Sequence, residues 1–154
     1  MRLRLYLDTS VVSAYLDERT PERRQATVEF WGRVADYDVA ISALTVAEIE
    51  ATGSPALRAQ MLDLVRPFTV LPVGDDARRL AQEYIRRGVF SAATAEDATH
   101  VAVAVVSRQD MLVSWNVRHL VNRRRRALIN ETNTLLGIPD ARDPGAPGGM
   151  RSRA

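Results

Sequence analysis

Apolar residues recur along this chain with two different periods. Short runs at 3–7 (Leu-Arg-Leu-Tyr-Leu), 39–42 (Val-Ala-Ile-Ser), 68–71 (Phe-Thr-Val-Leu) and 111–115 (Met-Leu-Val-Ser-Trp) have the length and composition of strands. Between them the spacing is helical. Val11 to Leu16 starts one helix, and Pro21 opens a second that carries Val28, Trp31, Val34 and Ala35. Ala43 to Ala51 is broken by Gly53-Ser54, and Pro55 then opens a stretch with Leu57, Met61, Leu64 and Val65 on one face. Asp75 to Arg87 stops at Gly88, a suitable C-cap, and Thr94 to Ser107 is so rich in Ala and Val that it predicts a helix buried on most sides. A basic helix is expected over 122–136, ending at Gly137. From Pro139 onward the chain is Pro/Gly-rich without periodicity and reads as a disordered tail. The division is therefore one domain over 1–138 and a tail over 139–154. Strands alternating with helices predict an α/β fold: a three-layer α/β/α sandwich around a short, mostly parallel sheet of about four strands.

Composition narrows the chemistry. With 154 residues and 46% hydrophobic positions the chain can build one proper core. It has no cysteine, which removes disulfides, thiolate zinc sites and cysteine nucleophiles, and fits a reducing compartment. The apolar start of the chain is interrupted by Arg2 and Arg4 and ends at Asp8, so it does not read as a signal peptide. No apolar run approaches the ~20 residues of a membrane span. The expectation is a cytoplasmic protein without a membrane partner. All 21 basic residues are arginine, so a net charge of only +2 persists to high pH and gives a pI near 9.5. The positive charge is concentrated at Arg118 and Arg123-Arg124-Arg125-Arg126. Absence of lysine excludes a P-loop, a Schiff-base enzyme and a receiver-domain phosphoacceptor site.

In an open parallel sheet, ligands bind beyond the carboxyl ends of the strands. Asp8 follows the first strand directly, Glu48 lies early in the helix after the second, Asp97 opens the long buried helix, and Asn116 follows the fourth strand. Two carboxylates about 4 Å apart repel by roughly 4 kcal/mol at an effective dielectric near 20. Such a cluster needs a cation or a raised pKa. Oxygen donors without His or Cys favour Mg²⁺ or Mn²⁺. A plainer reading stands beside this one. Thr45-x-x-Glu48 and Thr94-x-x-Asp97 both fit capping boxes or their acidic variants, and Asp8 can serve as an N-cap.

Four segments in order, Leu7-Asp8-Thr9-Ser10-Val11, Ser42-x-x-Thr45-x-x-Glu48-Ile49, Glu96-Asp97-Ala98-x-His100-Val101-Ala102 and Leu112-Val113-Ser114-Trp115-Asn116, resemble the PIN-domain family, many of whose bacterial members are VapC-type toxins of toxin–antitoxin pairs. The match runs over roughly residues 3–138. It implies a metal-dependent ribonuclease in which Asp8, Glu48 and Asp97 hold Mg²⁺ or Mn²⁺, with in-line attack of an activated water leaving a 5′-phosphate and a 3′-hydroxyl. It also implies an RNA substrate, a small antitoxin partner and a homodimer. Many members carry a fourth acid after the fourth strand, where this sequence has Asn116; an amide oxygen can orient water but adds no negative charge.

Thr9, Ser10 and Ser114, with Arg118, Arg123 and Arg124, are candidates to hold RNA phosphates, although each hydroxyl also suits a turn or cap. His100 shares a helix face with Asp97, and His119 lies three residues after Asn116; both also read as satisfied structural histidines. Tyr15, Trp31 and Trp115 fit core or dimer contacts better than base-stacking platforms. Two other functions compete. One is a PIN-like binding module that has lost catalysis, which Asn116 keeps open. The other is an aspartyl-phosphate enzyme using Asp8, which Ser10 argues against because that chemistry places a second acid there.

Overall fold

The computed structural model describes residues 2–116 and Ile129. Strands β1 (Arg4–Leu7), β2 (Asp38–Ser42), β3 (Thr69–Leu71) and β4 (Met111–Val113) form one sheet in the order β3-β2-β1-β4, with every neighbouring pair parallel. Among residues 2–116 six α-helices accompany it: α1 (Thr9–Leu16), α2 (Pro21–Trp31), α3 (Ala43–Glu50), α4 (Pro55–Val65), α5 (Asp75–Arg86) and α6 (Ala95–Val106). Parallel neighbours require crossover connections, and these place helices on both faces.

The two-residue alternation of β1 separates the two cores. Leu5 and Leu7 pack with Val11, Val12, Phe30, Ile41, Ile49 and Met61 on one face. Tyr6, between them, packs on the other with Leu80, Tyr84, Phe90 and Ala102. The three-layer α/β/α sandwich is therefore present. Trp31 lies in the first core, its ring 5.3 Å from that of Tyr15 and 5.6 Å from that of Phe68.

The element boundaries have local causes. Helix α5 ends at a Schellman motif in which Gly88 N–H donates to Ile85 O and Val89 N–H to Tyr84 O; Gly88 has φ +74°, a conformation that suits glycine. The second helix stops at Trp31, ahead of Val34 and Ala35, because Gly32 follows and the chain turns into a short 3₁₀ segment over Val34–Asp36. Strand β4 ends at Val113 and does not reach Trp115. Beyond that point Ser114 Oγ and Trp115 N are drawn out of the ladder onto Asp8 and Ser10. Among the described residues no helix is long and apolar enough to cross a membrane. The helix expected over 122–136, the tail from 139, and Arg118, His119 and Arg123–Arg126 lie outside the described residues.

Candidate active site

Strand order reverses at β1: the chain runs outward through β2 and β3, then returns to place β4 on the other side of β1. The crevice beyond the carboxyl ends of β1 and β4 is the topological switch point at which open α/β sheets bind ligands. Asp8 sits there, 1% exposed. Its backbone N–H continues the ladder to Val113 O, and its side chain caps α1 by accepting from Ser10 N at 3.0 Å. Ser10 Oγ donates to the same oxygen at 2.5 Å, and Ser114 Oγ donates to the other at 2.5 Å. Trp115 N–H donates to Ser10 Oγ, and Asn116 N–H to Ser114 Oγ, both at 2.9 Å. Asp8, Ser10, Ser114 and the backbone entering Asn116 thus form one unit. The exposed Asn116 contributes its amide N–H to that unit.

Asp8 is therefore a cap, but that role does not exhaust it. Among the described residues it is surrounded by hydroxyls and one amide, with no ion-pair partner. Burial raises its pKa above the ordinary 3.8, and the bonds from Ser10 and Ser114 do not offset that effect. The charge of His100 also favours the ionised form but does not outweigh burial, and a buried carboxylate without a direct ion-pair partner among the described residues is a place where a cation would be welcome.

A second unit lies alongside. Thr9 Oγ1 donates to Glu48 Oε1 at 2.9 Å, and His100 Nε2 is 2.6 Å from the same oxygen. The other ring nitrogen of His100 is 2.6 Å from the Tyr6 hydroxyl, which also lies 2.7 Å from Ser42 Oγ. Glu96 shares a hydrogen bond with Glu48, and that bond with the Glu48 charge raises the Glu96 pKa. Burial pushes Glu48 up, but the hydrogen bond and charge of His100, with Thr9 and Glu96, outweigh it and hold Glu48 below 4.5. Burial carries the Tyr6 phenol to about 12. Asp8 and Glu48 both add to that shift by their charge, which places the two units within electrostatic reach of each other.

Capping departs from the sequence expectation at both later helices. The box at α3 is Ser42 with Thr45, not Thr45 with Glu48, and the box before α6 is Ser91 with Thr94, not Thr94 with Asp97. Both are set one turn earlier, so neither acid is used as a cap. Asp97 lies half-buried in the first turn of α6 and makes no hydrogen bond or ion pair among the described residues. Sequence reasoning missed Glu96 and Tyr6. Glu96 stands four residues before His100, the spacing that shares a helix face; Tyr6 is the inward position of β1 opposite Leu5 and Leu7.

Asp8 and Glu48 are hard oxygen donors, with Asp97 and Glu96 on the adjoining helix. Among the described residues no three His, Cys, Asp or Glu side chains stand close enough to form a ready-made metal cage. This donor set still fits Mg²⁺ or Mn²⁺ in kind, since Mg²⁺ binds through one or two carboxylates and keeps water and substrate oxygens for its other positions. Trp115 closes the flank: its indole N–H donates to buried Thr27 at 3.0 Å, and the Arg23 guanidinium lies 5.0 Å from the ring centroid.

Comparison with known proteins gives the site a context. No curated protein matches the chain. Among solved structures it resembles VapC20 of Mycobacterium tuberculosis, described as a toxin that cleaves the sarcin–ricin loop. The TM-score is 0.57 at 18% identity, covering 90% of this chain and 99% of that one. It also resembles VapBC2 of Rickettsia felis, crystallised bound to a DNA fragment from the promoter, with TM-score 0.54 at 14% identity, covering 75% and 90%. At these identities the likeness is one of fold. The PIN domain family, by contrast, matches over residues 5–118, which takes in both strands of the switch point and every acid described above. The chain belongs to the PIN domain family.

Proposed function

We propose that this protein is a Mg²⁺- or Mn²⁺-dependent endoribonuclease, the toxin of a type II toxin–antitoxin pair. The observation that carries this reading is Asp8: a buried carboxylate at the switch point, fixed by three hydrogen bonds and without an ion-pair partner among the described residues, with Glu48 in the neighbouring unit. Asp8, Glu48 and Asp97 would hold the cation. When bound, it supplies Lewis-acid chemistry, neutralising charge on the reacting phosphate and making water a better nucleophile. Ser10 and Ser114 fix the Asp8 carboxylate through its two oxygens, so it meets a ligand without reorganising. Asn116 orients a water or phosphate oxygen from the end of β4. Thr9 is occupied by Glu48 and positions that acid, which leaves Arg118, Arg123 and Arg124 as the proposed phosphate contacts.

The VapBC2 structure of similar fold supports a small antitoxin partner, and a homodimer is proposed from the family resemblance; co-purification with the product of the neighbouring gene and sedimentation at micromolar concentration test them. A PIN-like module that binds RNA without cutting it is the second reading, favoured by Asn116 in place of an acid. Cleavage of mixed cellular RNA with Mg²⁺, Mn²⁺ or EDTA separates the two. Metal-dependent cutting abolished by Asp8→Asn supports the nuclease, whereas RNA binding without cutting supports the module.

A further inference from the structure

Behind Glu48 runs a chain of hydrogen bonds. Tyr6 is fully buried, and its hydroxyl lies 2.7 Å from Ser42 Oγ and 2.6 Å from His100 Nδ1. His100 is 2% exposed, and its Nε2 reaches Glu48 Oε1 at 2.6 Å. Thr9 Oγ1 donates to that same oxygen at 2.9 Å. Residues of β1, α1, the end of β2 and α6 are thereby tied to one carboxylate oxygen.

The phenol has one proton, and Ser42, Thr45 and His100 surround its oxygen, so toward His100 Tyr6 either donates or accepts. If it donates to His100, the ring is neutral with its hydrogen on Nε2. If it accepts from His100, a doubly protonated ring again has a hydrogen on Nε2. Both arrangements send an N–H to Glu48. A neutral ring protonated at Nδ1 alone would instead set a bare nitrogen lone pair 2.6 Å from a carboxylate oxygen. Oε1 then has both lone pairs taken, by Thr9 and His100, so Oε2 is the oxygen left for the bond shared with Glu96 and for a ligand.

We propose that His100 is a positioning residue for Glu48: backed by Tyr6, it keeps a hydrogen on Nε2 and, with Thr9, occupies Oε1, so that Oε2 is the Glu48 oxygen turned toward the divalent cation. This inference rests on the metal-dependent reading above, and its test separates the two. The chain has two histidines, so long-range ¹H–¹⁵N correlation of the imidazole rings, assigned with His119→Gln, reports the protonation of His100 without metal or RNA. The expected spectrum shows Nε2 protonated; a bare Nε2 overturns the proposal.

The second arm is Mn²⁺ affinity by calorimetry in the parent, His100→Phe, His100→Gln and Thr9→Val. His100→Phe should bind about 10–100-fold more weakly, the usual effect of removing an outer partner of a metal ligand. His100→Gln returns an N–H donor and should recover most of the loss. Thr9→Val, which empties the other site on Oε1, should weaken binding as well, and it decides the matter where His100→Phe fails to fold. Parent-like affinity in folded His100→Phe and Thr9→Val overturns the positioning role. Absence of Mn²⁺ binding by the parent defeats the metal reading and the role of Oε2 with it, while the ring spectrum still decides the state of Nε2.

Discussion

Replacing Asp8 with asparagine exchanges a buried anion for a neutral group of the same shape. The carboxylate accepts three hydrogen bonds, each worth roughly 1.5–3 kcal/mol to a charged group, while desolvation of an ion costs several kcal/mol. The raised pKa says that desolvation wins. An asparagine keeps an oxygen for Ser10 N and Oγ, and Ser114 can accept from its amide instead of donating. The variant should therefore be more stable than the parent without metal, by about 0.5–2 kcal/mol, the range typical of relieving a functional site. For a domain of this size that is ~2–4 °C in Tm per kcal/mol. The sign has a pH signature. Because the folded pKa lies above 3.8, the stability of the parent is fully present below that value and is lost as pH rises through the raised one. The gap between variant and parent should thus be largest at neutral pH and close in acid. Mn²⁺ should reverse the order: at about 100 times Kd it stabilises the parent by ~2.7 kcal/mol and leaves the variant unmoved. Thermal melts of both proteins with EDTA and with Mn²⁺, at neutral pH and near pH 4, make the comparison. A metal-free variant that melts below the parent at neutral pH would refute the reasoning.

Ser10→Ala removes a bond to Asp8 and leaves Trp115 N–H without its partner, so denaturant unfolding should show a loss of about 1–3 kcal/mol. Asp97→Asn should abolish cleavage, whereas Glu96→Gln, which keeps a hydrogen-bond donor for Glu48, should cost less than ~10-fold in rate; equal losses would count against the division of roles. Glu83, held by Arg86 and then Arg87, should titrate near 2 in a carboxyl ¹³C NMR experiment. Its contribution to stability is present above 4.5 and lost as pH falls through about 2. Ile49→Ala, at a position with no exposed surface, should cost about 2–5 kcal/mol and serves as a packing control.

The fold was legible because its signals are local and repeated. The short apolar run ending Leu5-Tyr6-Leu7, the proline starts at Pro21 and Pro55 and the glycine stop at Gly88 each have one short-range cause. The position of Asp8 was legible for the same reason: a carboxylate directly after a central strand can only lie at the sheet's carboxyl edge. Less could be read where two short motifs overlap. Thr45-x-x-Glu48 and Ser42-x-x-Thr45 share a threonine, and the spacing alone does not say which residue caps the helix. The structure uses Ser42, because β2 runs as far as that residue and the helix starts immediately after it. Contacts between distant elements were out of reach. Nothing local to His100 tells that its ring bridges Tyr6 of β1 and Glu48 of α3. The Trp115–Thr27 bond spans 88 residues and likewise has no trace in either segment.

The most direct test of the central claim is cleavage of mixed cellular RNA by the purified protein, with Mg²⁺, Mn²⁺ or EDTA, beside Asp8→Asn and Asp97→Asn. Cutting is expected with either metal, none with EDTA and none by either variant. RNA left intact by the folded parent protein with both metals, or cut equally well by Asp8→Asn, would contradict it.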